Sequence, residues 1–330
     1  MEYVPLGSHG LMVSRLAFGN SLTHGNQIDD TAARACVHTA LDAGVTTFDT
    51  ADVYAAGRAE TVLGDILQCH RRSDLVICTK VGRSRRPNPN EGRLSRKHIR
   101  ESADASLSRL RTEYIDLYQA HRFDEQTPLE ETMSTFADLV RAGKVLYVGV
   151  SDWSPAQLRA GVKLARELQV PLIAEQTQYS MLWRGAEGPL ARTAADCGVG
   201  LMAWSPLAGG VLTGKYRPGR PPPSGSRVTS ADGGATSMGR WNYLDPPVLE
   251  AVARLRTVAE SAGMELPVLA LAWTLRNRAV STVILGASRP EQLAGNLRAL
   301  DVDLDDDLVR RADEALAPVV NSPKEETCVR

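Results

Sequence analysis

The sequence predicts a closed parallel (β/α)8 barrel of the TIM type, with an N-terminal β-hairpin and an extra C-terminal helix, as a single domain over residues 1–330. Three observations carry this expectation. Apolar runs of strand length recur eight times, and amphipathic segments of helical period stand between them. The first run leads into GNSLTHGNQ, which lacks the G-x-G-x-x-G turn of a doubly wound open sheet.

The opening segment YVPLGSHGLMV reads as a small hairpin around a Ser-His-Gly turn. Strand-like runs follow at Arg15–Phe18, Val45–Phe48, Leu75–Thr79, Ile115–Ala120, Val145–Val150, Leu172–Glu175, Gly200–Trp204 and Thr282–Leu285. Several are apolar throughout, as parallel strands covered on both faces must be. Helical patterns occupy Asp29–Ala43, stopped by Gly44, and Ser95–Leu110, opened by a Ser cap. They continue at Pro128–Ala142, Pro155–Leu168, Gly185–Cys197, Pro246–Ala262, Pro267–Arg276, Pro290–Leu300 and Asp306–Ala317. Pro155 falls in a first turn, where its missing N–H costs nothing. One long irregular stretch, about 217–245, is rich in Pro, Gly and Ser and reads as a lid after the seventh strand.

Composition narrows the function classes. The formal net charge is -1, so neither nucleic acid nor an anionic membrane is expected as the main partner. No apolar run approaches the roughly 20 residues that span a bilayer, and the N-terminus lacks the apolar core of a signal peptide. The five cysteines include no CxxC pair, which fits a reducing cytoplasm. No His, Cys and carboxylate residues fall in metal-ligand spacing, so no metal is expected. Gly209–Lys215 reads G-x-x-x-x-G-K, but Tyr216 follows in place of the Ser or Thr of a P-loop.

Four polar residues lie at or just past strand ends. Asp49 ends VTTFD, Tyr54 follows in DTADVYAAG, Lys80 ends LVICTK, and His121 ends IDLYQAH. In a (β/α)8 barrel, active sites are built at the C-terminal mouth of the strands. Reducing a ketone with a hydride requires a proton for the developing alkoxide, and a tyrosine hydroxyl can donate it. A lysine ammonium beside the phenol favours phenolate. A carboxylate fixes the lysine, and a histidine orients the carbonyl or shares in the proton transfer.

At these residues the chain resembles the aldo-keto reductase superfamily, in the branch that includes the voltage-gated potassium channel β-subunits. The resemblance runs from about Tyr3 to about Leu300 through FDTADVYAAGRAETVLG, GRLSRKHI, AWSPLAGGVLTGKY and LGASRPEQL. It implies that Asp49, Tyr54, Lys80 and His121 form the family's catalytic tetrad. The channel subunits have Asn at the position of His121.

The resemblance further implies NADPH/NADP+ as cofactor. Asn20, Ser21, Gln27 and Asp49 are expected near the nicotinamide, and Ser151 and Gln176 on its carboxamide. Trp204, Ser205, Pro206, Leu207, Ala208 and Gly209 are expected along the pyrophosphate, with Lys215 nearby. Arg227, Ser288 and Gln292 are expected on the 2′-phosphate, and Gly286 and Asn296 at the adenosine end. A phosphate wants Arg and hydroxyl donors, and GASRPEQ opens a helix, whose N-terminus favours anions. Two departures stand out: Asp152 replaces a basic residue, and Gly295 a Glu often present beside the adenine.

Substrate choice is expected from His24, Arg83, Arg122, Trp183 and Trp241, with Ser21 beside them. Arg83, Arg85 and Arg86 follow the third strand and suit an anionic compound. A likeness to actinobacterial enzymes of deoxysugar assembly suggests a keto group on a nucleotide-linked hexose. A small aldehyde or ketone is the plainer expectation. The resemblance also admits a homo-oligomer. The reading from another class is a non-enzymatic, channel-regulating subunit, for which an inactivating tail ahead of Tyr3 would be expected.

Overall fold

A computed structural model describes residues 1–84, 88–229 and 242–321. Two short strands, β1 (Tyr3–Pro5) and β2 (Met12–Ser14), pair antiparallel with Tyr3 opposite Ser14. Eight parallel strands then close into a barrel. They are β3 (Leu16–Gly19), β4 (Thr47–Asp49), β5 (Val76–Val81), β6 (Ile115–Ala120), β7 (Val145–Ser151), β8 (Leu172–Gln178), β9 (Gly200–Trp204) and β10 (Val280–Leu285). The barrel and its hairpin agree with the expected fold.

Ten α-helices are described: α1 (Asp30–Asp42), α2 (Arg58–Leu67), α3 (Arg96–Leu110), α4 (Leu129–Arg141), α5 (Pro155–Glu167), α6 (Pro189–Cys197), α7 (Pro246–Ser261), α8 (Leu266–Leu275), α9 (Pro290–Leu297) and α10 (Asp306–Leu316). Their starts follow from capping chemistry. Asp29 accepts the Ala32 N–H at 2.8 Å. Ser95 caps His98, and Ser154 forms a capping box with Gln157. The extra C-terminal helix is α10, capped by Asp305.

Two local readings need correction. No helix was expected between the second and third strands, yet α2 stands there. It opens on Gly57, with no side-chain cap, and Gly64 interrupts its apolar face of Ala59, Val62, Leu63, Ile66 and Leu67. Those two features hide the helix from a reading of caps and propensity. The glycine is required because a Cβ at position 64 would lie 2.6 Å from the Arg109 carbonyl oxygen, so α2 and α3 meet backbone to backbone. The second correction concerns α6, which begins at Pro189 rather than Gly185. Gly188, at φ +64°, ends the preceding turn, and Pro189 opens the helix.

The chain divides into two compact units, residues 1–177, 188–202 and 279–294 in one, and 178–187, 203–278 and 295–330 in the other. The first holds the hairpin, strands β3 to β7 and β10, and α1 to α6, with β8 up to Thr177, β9 up to Met202 and α9 up to Ala294. Its core is packed with Phe18, Phe48, Tyr118, Phe136 and Trp153, each at most 2% exposed. Tyr118 and Phe136 meet edge to face at 5.8 Å, the arrangement that aromatic quadrupoles favour. In the second unit Trp273 Nε1 donates to Asp313 at 3.1 Å, joining α8 to α10. Within the expected lid, Arg227–Thr229 forms a 3-10 turn, and residues 230–241 lie outside the described residues.

Strand register sets the mouth of the barrel. Gly19 stands beside Asp49, and Asp49 beside Cys78. Lys80 stands beside Gln119, Gln119 beside Gly149, and Ser151 beside Gln176. Because all the strands are parallel, these polar residues share one rim.

Candidate active site

Asp49, the last residue of β4, and Lys80, in β5, are 4% and 0% exposed. Two such charges are tolerated in a barrel interior only when paired and fully hydrogen-bonded. The Lys80 Nζ donates to Asp49 Oδ2 at 2.6 Å, to the Thr50 carbonyl at 2.8 Å and to the Tyr54 hydroxyl at 3.4 Å. The other Asp49 oxygen accepts from Gln176 Nε2 at 2.8 Å. Every donor of the ammonium therefore has a partner. Burial works against the Lys80 charge, but Asp49 and Tyr54 outweigh it and hold the pKa above the usual lysine value.

Tyr54 is positioned by an unusual turn. Ala55, Ala56 and Gly57, with φ of 46°, 53° and 93°, all lie in the left-handed region. Two alanines there cost roughly 1–2 kcal/mol each, strain of the kind that collects at functional sites. A buried network anchors the next turn of chain. Glu60 is 0% exposed and accepts from Thr79 Oγ1 at 2.5 Å, Arg109 Nε at 2.7 Å and Arg109 Nη2 at 2.6 Å. Thr79 is the neighbour of Lys80 in β5, so this network joins the tyrosine turn to the lysine strand.

His121 follows β6, and its ring meets the Tyr54 ring edge-on at 5.7 Å. Its Nδ1 is buried without a hydrogen-bond partner. Burial first, then the charges of Lys80, Arg122 and Arg83, depress its pKa far below the ordinary value. The imidazole is thus neutral near pH 7. Burial also raises the Tyr54 pKa, with Lys80 pulling the other way. Lys80 does favour the phenolate, as the sequence suggests, but desolvation of the phenolate is the larger effect and the net shift is upward.

The structure therefore brings the expected tetrad together. Ser151, at the end of β7, accepts from Arg122 Nη1 at 3.1 Å. Asn20 is buried, donating to the Ala59 carbonyl at 3.1 Å, and its Oδ1 has no partner. Ser21 is exposed and Gln27 half-buried in the segment after β3. Gly286, after β10, is exposed, while Ser288 donates through both its N–H and its Oγ to Gln292 Oε1, at 3.1 and 3.0 Å.

In the second unit, Trp204 to Gly209 pass through a tight turn, with Ser205, Ala208 and Gly209 left-handed. Pro206 is buried there and Leu207 half-buried. Lys215 is exposed, its ammonium 5.2 Å from the Tyr216 ring centre. Arg227 is half-buried, with Nε enclosed and without a partner among the described residues, and Asn296 is 8% exposed.

Of the residues expected to choose the substrate, Arg83 is exposed, Trp183 is half-buried and Trp241 lies outside the described residues, as do Arg85 and Arg86. Arg122 pairs with Asp152 at 2.8 Å. His24 is 1% exposed, its Nδ1 3.3 Å from Asn20 Nδ2, and burial lowers its pKa to about 4. A histidine whose folded pKa lies below its ordinary 6.5 stabilises the fold least in acid: stability is lost as pH falls from 6.5 towards 4. Between pH 7 and pH 5 this one group is expected to remove about 1–2 kcal/mol. Urea unfolding of His24→Gln should show that much less acid sensitivity than the wild type; an identical loss in both proteins would contradict it.

Two site features escaped the sequence reading. Gln119, 0% exposed and 3.5 Å from Gln176, stands two residues before His121 and so points to the same face. Period-two alternation could have found it. The Glu60–Arg109 pair, separated by 49 residues, left no local signal.

Residues 15–317 match the Aldo/keto reductase family. The chain belongs to that family. It is also 41% identical, over 92% of each chain, to an Arabidopsis thaliana protein named "Probable voltage-gated potassium channel subunit beta". Both findings agree with the resemblance drawn from the motifs. Family membership makes the chain a barrel of the oxidoreductase type. Among the described residues, no helix is long and apolar enough to cross a membrane.

Proposed function

We propose that this aldo/keto reductase family member reduces aldehydes or ketones with NADPH, with Tyr54 as proton donor and Asp49, Lys80 and His121 completing the site. The observation that carries this reading is the unbroken contact chain from Asp49 through Lys80 to Tyr54, with His121 against the phenol. When bound, NADPH supplies a hydride to the carbonyl carbon. The carbonyl oxygen then takes its proton from the Tyr54 hydroxyl. The phenolate left behind is stabilised by Lys80, and Asp49 keeps that lysine charged. Neutral His121 orients the carbonyl oxygen without competing as an acid.

Arg227 is proposed for the 2′-phosphate, because its enclosed Nε lacks a partner among the described residues. Ser288, Gln292 and Asn296 are proposed for the adenosine end, and Asn20, Ser151 and Gln176 for the nicotinamide. The described cysteines are all unpaired, which supports a cytoplasmic setting. Arg83, exposed and felt electrostatically at His121, favours a substrate with a negative group away from its carbonyl, as in a nucleotide-linked keto-deoxyhexose. The name of the Arabidopsis relative favours a second reading, regulation of a channel.

The test is NADPH oxidation dependent on 4-nitrobenzaldehyde; its absence would defeat the reductase reading. For the cofactor, Arg227→Gln is expected to raise the Kd of NADPH about tenfold or more and to leave that of NADH within about threefold. Equal weakening of both nucleotides would remove Arg227 from the phosphate site.

A further inference from the structure

Arg122 immediately follows His121, and its guanidinium is engaged by several groups. Nη1 donates to the His121 carbonyl at 2.8 Å and to Ser151 Oγ at 3.1 Å, and Nη2 meets Asp152 Oδ2 at 2.8 Å. The two side chains are 41% and 27% exposed, so the pair stands at the rim rather than in the core. The Arg122 charge reaches both Tyr54 and His121.

Asp152 is held in place by backbone bonds. It is left-handed, at φ 51°, and its N–H donates to the Gln176 carbonyl at 3.0 Å. The next N–H, of Trp153, donates to buried Glu175 at 3.3 Å. Burial and then the Asp152 charge push the Glu175 carboxyl far above the usual range. Of the two carboxyls, Asp152 is the one in contact with Arg122.

We propose that Asp152 sets the charge preference of the site: its carboxylate holds Nη2 of Arg122 while His121 and Ser151 hold Nη1, and together they deny the guanidinium to an anionic group next to the reacting carbonyl. A guanidinium presents paired donors that match a carboxylate, and one already holding a carboxylate offers little to a second. Asp152 is thus a positioning residue that selects neutral carbonyl compounds at close range. Arg83 remains the exposed cation for any distant negative group. The inference rests on the reductase reading for its kinetic consequence but not for its binding consequence.

Asp152→Asn isolates the charge. Asn matches Asp in shape and is enriched, as Asp is, among residues at positive φ. Benzoate has a carboxylate and no aldehyde or ketone to reduce. It is titrated by calorimetry, without nucleotide, into the wild type, Asp152→Asn and the double variant Asp152→Asn/Arg122→Gln. Binding should tighten about fivefold or more in the single variant and fall back in the double variant. Equal benzoate affinity in all three proteins overturns the proposal, whatever the turnover.

The kinetic arm compares 4-carboxybenzaldehyde with 4-nitrobenzaldehyde. The ratio of their KM values should shift about fivefold or more towards the carboxylate in Asp152→Asn. A parallel change with both aldehydes also overturns it. If no aldehyde is reduced by any of the proteins, the reductase reading falls and the benzoate titration still decides the role of Asp152.

Discussion

Tyr54→Phe is expected to lower kcat for 4-nitrobenzaldehyde reduction by about 10²–10⁴-fold, the range for a positioned general acid. The ring is kept, and with it the edge-on contact with His121. Only the hydroxyl that meets Lys80 at 3.4 Å is lost. The Kd of NADPH, read by fluorescence, should stay within about threefold, because a phenol that donates only to the developing alkoxide contributes little to the ground state. Unchanged turnover would remove Tyr54 from the chemistry. In the wild type, both shifts point to a flat profile. Tyr54 stays protonated and His121 stays neutral, so kcat should vary little between about pH 6 and 9.

Lys80→Met carries the largest expected effect on stability. It leaves the Asp49 carboxylate inside the barrel with Gln176 as its remaining side-chain donor. Removing one member of a buried pair typically costs about 3–5 kcal/mol, because the partner keeps its desolvation penalty. Urea unfolding at neutral pH should show that loss, and a change under about 1 kcal/mol would contradict it. The double variant Asp49→Asn/Lys80→Met should recover part of the stability, since no bare charge remains. It should recover none of the turnover. That split separates the fold's use of the pair from its use in proton transfer. The lysine's raised pKa sets the alkaline limit: the pair contributes fully below the ordinary lysine value of 10.5 and is lost as pH climbs through the higher, folded value.

The barrel was legible because burial imposes local patterns. Strands covered on both faces, such as Leu16–Gly19, show unbroken apolar character, and helices such as α5 announce themselves with Ser154, Pro155 and Gln157. The tetrad was legible because each member sits at or near a strand end, where sequence position maps directly onto the rim. Helix α2 was not, since tertiary contact with α3, rather than a cap, decides where it forms. The sign of the Tyr54 shift was hidden for a related reason. A sequence reveals that a lysine is near but not how much water the phenol has lost. The Asp152–Arg122 pair joins two loops, and nothing in either segment alone announces it.

The left-handed run after Tyr54 has a consequence for how this scaffold diversifies. Three residues in mirror-image backbone cannot accept branched side chains or a change of length without moving the phenol itself. That stretch is closed to innovation. New substrate preferences must arise elsewhere, in segments such as the one beginning at Arg122, whose exchange leaves the acid in place.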